Sequence, residues 1–150
     1  MSLLPRFARS LVVLLLVSAQ ASCVAREDPV RYADADEYAL DIRPDAAAGA
    51  FLLSFESRST GTLCVSQHNW PDRLGRLHMG ADLAQVVVGD RTFAARDTNF
   101  GYCVGAGCTL RIAPGGRLTG QIAFAEFDGW DPATIDRTRL RFSVRPWACR

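Results

Sequence analysis

Lysine is absent from this sequence of 150 residues, and its 17 arginines are the only basic side chains besides two histidines. We interpret the arginine bias, together with abundant alanine and glycine, as the codon usage of a GC-rich genome. Arg6 and Arg9 precede every acidic residue, so the chain beyond residue 22 carries 15 arginines against 16 aspartates and glutamates. A net charge so close to zero predicts no nucleic-acid or acidic-polymer partner.

Long apolar runs are also missing. Leu11 to Val17 is uninterrupted but far shorter than the ~20 residues that a membrane-spanning helix needs, so we predict no transmembrane helix. Arg6 and Arg9 lie before this run, and the small residues Ser18-Ala19-Gln20-Ala21-Ser22 follow it. This order is typical of a secretory signal peptide, which we assign to residues 1–22.

Enzyme signatures are absent as well. The sequence contains no Gly-x-Ser-x-Gly nucleophile elbow, no His-Glu-x-x-His motif and no glycine-rich phosphate loop. A catalytic cysteine is not expected, because export oxidises thiols. Asp97, Glu126 and Asp128 could act as a carboxylate pair only if the fold brought two of them together. The sequence therefore predicts a protein that is not an enzyme and that has no cofactor.

The number of cysteines is odd, and in an exported protein the unpaired one needs an explanation. Ala21-Ser22-Cys23 resembles the end of the signal in bacterial lipoprotein precursors, although Gln20 stands where that class usually has an aliphatic residue. The resemblance covers the signal region alone. It implies a lipid on Cys23 and, because Val24 follows, sorting to the outer membrane, facing the periplasm. Cleavage after Ala21 would instead release a soluble periplasmic or secreted protein.

The other four cysteines allow three pairings. Cys103 and Cys108 are separated by four residues that include two glycines, so a local bridge between them is feasible. Cys64 would then pair with Cys149. The loop-entropy model assigns about 4–5 kcal/mol to that long bridge and about 2 kcal/mol to the short one.

Short alternating segments dominate the chain beyond a predicted flexible tether at residues 23–36. About seven or eight strands with frequent turn signals indicate an all-β domain at residues 37–150, in which antiparallel sheets have one solvated face. We predict a disulfide-stapled, immunoglobulin-like β-sandwich, with a small β-barrel as the alternative. Pro44 should end the first strand, Gly89-Asp90 should form a two-residue hairpin turn, and Asp131-Pro132 should start one helical turn.

Two loops are candidates for function. In the segment 97–108, two aromatic residues and polar side chains precede the predicted short disulfide, which would stiffen the loop for binding. The partner-binding candidates there are Asp97, Asn99, Phe100 and Tyr102. The second loop, residues 67–83, adds Trp70 as a binding candidate and contains His68, His78 and Met79, whose imidazole and thioether groups suit copper. No third histidine exists, so a site without metal is the first expectation.

These observations favour binding over catalysis. The expected function is an exported, lipid-anchored accessory module of the cell envelope that binds an envelope protein or polysaccharide. The membrane is contacted through the anchor alone. An inhibitor of a secreted hydrolase, such as a protease or lysozyme, acting through the 97–108 loop, is the first alternative. A periplasmic copper-binding protein is the second.

Overall fold

The computed structural model describes residues 29–99 and 106–149, and strands make up most of their regular structure. The strands are β1 (Tyr38–Asp45), β2 (Ala50–Ser57), β3 (Leu63–Ser66), β4 (Ala84–Val88), β5 (Arg91–Ala94), β6 (Thr109–Ile112), β7 (Arg117–Ala123), β8 (Thr138–Phe142) and β9 (Trp147–Ala148). One helical turn, α1 (Gly80–Leu83), and 3₁₀ turns at Gln67–Asn69, Ala106–Cys108, Phe124–Glu126 and Pro132–Arg137 complete the described elements. No helix within these ranges is long and apolar enough to cross a membrane.

The described strands form three sheets with the orders β1-β2-β7, β6-β3-β9 and β5-β4-β8, and every pairing is antiparallel. The sheets surround one core and do not close into a barrel. The prediction of a sandwich-like all-β domain is therefore confirmed, and the barrel alternative is wrong. The division into three small sheets departs from the two sheets of an immunoglobulin domain, and strand alternation alone does not reveal it.

Strand β2 shows how the sequence produces this arrangement. Phe51, Leu53 and Phe55 are at most 2% exposed, whereas the residues between them, Leu52 and Ser54, are only half-buried. Successive side chains of a strand point to opposite faces, so the alternation places one face of the sheet in the core. Each fully buried side chain of this size contributes about 1.5–3 kcal/mol to folding.

A cluster of aromatic rings fills one end of the core. The Phe51 ring lies 5.0 Å from that of Phe124, 5.8 Å from that of Phe127 and 5.5 Å from that of Trp130, measured between centroids. Several of these contacts are edge-to-face, a geometry that the ring quadrupole favours. Trp130 is 7% exposed, so it is a packing residue.

The long disulfide is present. Cys64 in β3 is bonded to Cys149, 85 positions away, and the bridge joins β3 to the end of the chain beyond β9. Cys108 is also disulfide-bonded. The predicted partner of Cys108, Cys103, lies outside the described residues, as does Cys23.

The amino-terminal segment of the described chain packs along β9. The amide of Ala148 donates to the Arg31 carbonyl, and the amide of Ala33 donates to the Pro146 carbonyl. Arg31 also forms a two-pronged ion pair with Glu37, with N–O distances of 2.7 and 3.0 Å. Residues 31–33 of the predicted tether therefore cover a free sheet edge, a common way of preventing edge-to-edge association.

The local turn signals are confirmed with one correction. Gly89 has φ +58° between the paired residues Val88 and Arg91, as a two-residue hairpin requires. The Asp131 carboxylate accepts from the Ala133 amide and caps the 3₁₀ turn that begins at Pro132. Pro44, however, does not end β1. It lies one position before the last residue of β1, and β1 is an outer strand of its sheet, where proline is tolerated.

Candidate functional site

A groove of about 940 Å³ lies over the outward face of the sheet β1-β2-β7. Its floor consists of cross-strand rows, because the register places Arg43 beside Leu52 and Leu52 beside Gln121. A second row contains Asp41, Ser54 and Thr119, and a third row ends at Arg117. The floor residues are Asp41, Arg43, Leu52, Ser54, Arg117, Thr119 and Gln121. Rows on one face are about 7 Å apart along the strands, so the floor is roughly 14 Å long.

One wall of the groove rises beyond the outer edge of β7. Trp70 packs there and is 4% exposed, with its Nε1–H donating to the Thr119 carbonyl at 3.3 Å. Gly120 makes this contact possible, because a Cβ at that position would lie 2.8 Å from the Trp70 Nε1 atom. The upper part of the wall consists of Gln67, Pro71, Asp72, Arg73 and Leu110.

A turn organised by Asp72 fixes this wall. One carboxylate oxygen accepts from the amides of Leu74 and Arg76, and the other accepts from the Arg76 guanidinium at 2.6 and 2.8 Å. Burial raises the pKa of Asp72, but these hydrogen bonds outweigh it and hold the pKa below its ordinary value. Gly75 has φ +78°, and its carbonyl accepts from the Ala123 amide, which ties the turn to β7.

The groove contains both signs of charge. Arg117 is paired with Glu56 at 2.7 Å, and this hydrogen bond lowers the pKa of Glu56. Asp72 is satisfied by Arg76 as described above. Asp41, Arg43 and Arg73 form no ion pair within the described part of the chain. Two cations and one anion are therefore available to a ligand beside hydroxyl and amide groups.

The fold also brings together the two loops that the sequence singled out. The amide of Thr98 donates to the Leu77 carbonyl at 2.9 Å, and the amide of Ala81 donates to the Asp97 carboxylate at 3.0 Å. Gly80 allows this approach, because a Cβ there would collide with the Arg96 carbonyl. The base of the 97–108 loop is thus held against the 67–83 loop.

The predicted partner-binding residues divide into three groups. Asp97 and Asn99 are exposed, and Asp97 uses one carboxylate oxygen to hold Ala81. Phe100 and Tyr102 lie outside the described residues. Trp70 packs against Phe55 and Phe142, with ring centroids 6.4 and 5.9 Å away, so its indole supports the groove rather than projecting toward a partner.

Two of the three residues considered for metal binding lie side by side. The rings of His68 and His78 lie 4.6 Å apart, between centroids, and Met79 is 46% exposed next to His78. Residues 29–99 and 106–149 contain no group of three or more His, Cys, Asp or Glu side chains that could hold a metal ion.

The three carboxylates considered for catalysis make different contacts. Glu126 is buried and lies 3.5 Å from both the Arg96 guanidinium and the Thr98 hydroxyl. Asp128 is 3.8 Å from the same guanidinium. Arg96 thus links Glu126 and Asp128, whereas the Asp97 carboxylate accepts from the Ala81 amide in α1.

Sequence reasoning missed the groove itself. Its floor residues are the positions between the core-facing residues of β1, β2 and β7, six of them polar and one, Leu52, apolar, and alternation identifies each one as outward-facing. Nothing local indicates that β7 lies beside β2, which is about sixty positions earlier. Comparisons with models of protein families, with curated proteins and with solved structures found no match to this chain.

Proposed function

We propose that this chain is an exported binding module of the cell envelope, whose groove over the sheet β1-β2-β7 holds a polysaccharide strand. The observation that carries the proposal is the groove of about 940 Å³, which three strands line with hydrogen-bonding side chains. Binding sites of proteins are typically concave, with apolar surface and a few placed polar groups. The floor is open and roughly 14 Å long, which suits an extended ligand better than a single small molecule.

The mixture of donors and acceptors favours a polyhydroxylated ligand. Sugar hydroxyls donate and accept, and so do the hydroxyls of Ser54 and Thr119 and the amide of Gln121. Arg43 can only donate and Asp41 can only accept, so together they can serve both functions of sugar hydroxyls. The half-buried Leu52 offers apolar surface for the C–H faces of sugar rings. The carboxylate of Asp41 beside the guanidinium groups of Arg43 and Arg73 argues against a polyanion, in agreement with the near-zero net charge of the chain.

The location in the envelope is part of the proposal. The signal pattern of residues 1–22 supports export, and the junction Ala21-Ser22-Cys23 supports a lipid on Cys23. The disulfide between Cys64 and Cys149 is consistent with an oxidising compartment. A module anchored near the membrane would meet envelope polysaccharide continuously, so modest affinity would suffice because of the high local concentration.

A second candidate function is inhibition of a secreted hydrolase through the 97–108 loop. The observation that favours it is the anchoring of the loop base by Thr98 and Asp97 to the 67–83 loop. A loop held in this way loses less conformational entropy when it binds. Replacing Phe100 and Tyr102 with alanine should abolish binding to such a hydrolase while the melting temperature stays unchanged. A large fall in melting temperature would show that the two rings serve the core instead.

The experiment for the first proposal is co-sedimentation with insoluble peptidoglycan, whose glycan strands are rich in hydroxyl and acetamide groups. Arg43→Ala removes a groove donor and should weaken binding about tenfold, the effect of a lost hydrogen bond from a charged group. Arg139→Ala is the matched control, since Arg139 is an exposed strand arginine on the sheet β5-β4-β8. Equal effects of both substitutions, or binding to polygalacturonate in preference to glycan strands, would contradict the proposal.

A further inference from the structure

The groove over the sheet β1-β2-β7 is not evenly charged along its length. The row at one end joins Arg43 of β1 to Gln121 of β7, and the row at the other end contains Glu56 and Arg117, which neutralise each other at 2.7 Å. Asp41 lies in the row between these two. Arg43 and Asp41 form no ion pair with any described residue, so opposite charges remain available in neighbouring rows, about 7 Å apart along β1.

The wall of the groove adds a second cation at the end that contains Arg43. Arg73 lies in the turn before Gly75, is exposed and lines the groove. This turn is fixed beside β7, because the Gly75 carbonyl accepts from the Ala123 amide at 3.0 Å and a Cβ at Gly75 would lie 3.3 Å from the Gln121 carbonyl oxygen. Arg73 therefore stands at the level of the row that contains Arg43, across a floor two strand spacings wide, or about 10 Å.

The two arginines at this end of the groove suit a carboxylate. Neither Arg43 nor Arg73 forms an ion pair within the described part of the chain, and both are exposed. A guanidinium presents parallel N–H donors that match the two oxygens of a carboxylate, and such charged hydrogen bonds are stronger than neutral ones. Two cations at one end also create a local positive potential, which attracts an anionic group and gives little advantage to a neutral sugar.

We propose that this end of the groove, between Arg43 and Arg73, binds a single carboxylate carried by the polysaccharide. The inference rests on the proposed function, since it assigns the chemistry of one position within the glycan site. In peptidoglycan the free carboxylates belong to the peptide stems that branch from the glycan strand, so the ligand is a glycan with a short peptide branch. Asp41 limits the site to one carboxylate, because a polymer with a carboxylate on every sugar would place the next one near the negative charge of Asp41.

The test compares the disaccharide–tetrapeptide released from peptidoglycan with the same compound after its carboxylates have been converted to primary amides. Isothermal titration calorimetry of the unaltered protein should show about tenfold tighter binding of the carboxylate form, the effect of a hydrogen bond to a charged group. Arg73→Ala should abolish this preference. Leu74→Ala is the matched control and should keep it, because Leu74 lies in the same turn, is 65% exposed and is not part of the groove lining.

A second variant tests the role of Asp41 by a gain of binding. Asp41→Asn removes the negative charge and keeps the shape of the side chain, so the affinity for polygalacturonate should increase at low ionic strength, where screening is weakest. Thermal unfolding checks that each variant folds. An unchanged affinity for polygalacturonate would contradict the limit to one carboxylate.

The outcomes separate this inference from the proposed function. Equal affinity for the two forms of the disaccharide–tetrapeptide would overturn the carboxylate position and leave the glycan groove standing. A preference that Arg73→Ala leaves intact would equally overturn it, because the carboxylate would then bind elsewhere. If the protein bound neither form and did not bind insoluble peptidoglycan, the proposed function would fall together with the inference.

Discussion

The two faces of the sheet β1-β2-β7 are made by alternate residues of the same strands, yet they have different tasks. On the inward face, Phe55 is fully buried and stacks on Tyr38 with ring centroids 5.2 Å apart. On the outward face, Ser54 and Leu52 are half-buried and form the floor of the groove. Because neighbouring residues of a strand face opposite sides, a substitution at one position should affect the stability of the fold, and a substitution at the next should affect binding.

The largest expected effect on stability comes from a substitution on the inward face. Phe55→Ala leaves a cavity beneath Tyr38 and Trp70 and should lower the free energy of unfolding by about 3–5 kcal/mol. Ser54→Ala, one position earlier, should change it by less than about 0.5 kcal/mol. Chemical denaturation of both variants measures the contrast. Similar losses for the two would mean that the outward face is packed and is no binding surface.

The contact between the faces is tested at Gly120, where the wall of the groove meets the core. Gly120→Ala forces the indole of Trp70 away from β7 and should cost about 1–3 kcal/mol, the usual penalty of overpacking. Gly61→Ala is the control, because a Cβ at Gly61 meets nothing within 4 Å. Thermal unfolding and tryptophan fluorescence report the two effects. An unchanged Trp70 emission in Gly120→Ala would contradict the described docking of the ring.

Substitutions on the outward face should weaken binding and leave stability unchanged. Arg43→Ala should leave the melting temperature within about 2 °C of the original value, since an exposed side chain without an ion pair contributes little. Its affinity for glycan strands should nevertheless fall. Differential scanning calorimetry beside the co-sedimentation assay measures both. A loss of stability parallel to the loss of binding would remove the distinction between the faces.

The smallest effect concerns Glu37, which belongs to neither face. The hydrogen bond from Arg31, helped by the Asp34 amide and the Ser59 hydroxyl, lowers the pKa of Glu37 to about 2 from its usual 4.5. Because the folded pKa is depressed, the stabilisation is complete above the unfolded pKa and is lost as the pH falls from about 5 toward 2. Melting temperatures over this range should fall more steeply for the original protein than for Glu37→Gln. Parallel curves would show that the ion pair does not contribute.

Much of the inward face could be predicted from the sequence, because alternation in Phe51, Leu53 and Phe55 is a local property. The hairpin at Gly89-Asp90 and the cap at Asp131 are local in the same sense. Strand order is not local. The pairing of β2 with β7 depends on which long-range arrangement buries the most apolar surface, and no short motif encodes it. The groove needs that pairing, so its individual residues could be identified as outward-facing but their meeting could not.

Trp70 also shows that the position of a residue in the sequence does not determine its role in the fold. A tryptophan in a long loop favours a binding interpretation, yet here the ring fits above Gly120 and donates to Thr119, a contact about fifty positions away in the chain. The position of His68 beside His78 likewise depends on the turn that Asp72 holds. Tertiary contacts decide the role of these side chains, and spacing along the chain does not.

The most direct test of the account is hydroxyl-radical footprinting of the protein with and without glycan strands released from peptidoglycan. Leu52 lies on the floor of the groove and Leu110 in its wall, whereas Met79 lies on the loop beside the histidine pair. We expect the two leucines to become protected from oxidation when the glycan binds, while the oxidation of Met79 stays the same. Protection of Met79 with unchanged leucines would contradict the assignment of binding to the outward face and would place the partner on the loops instead.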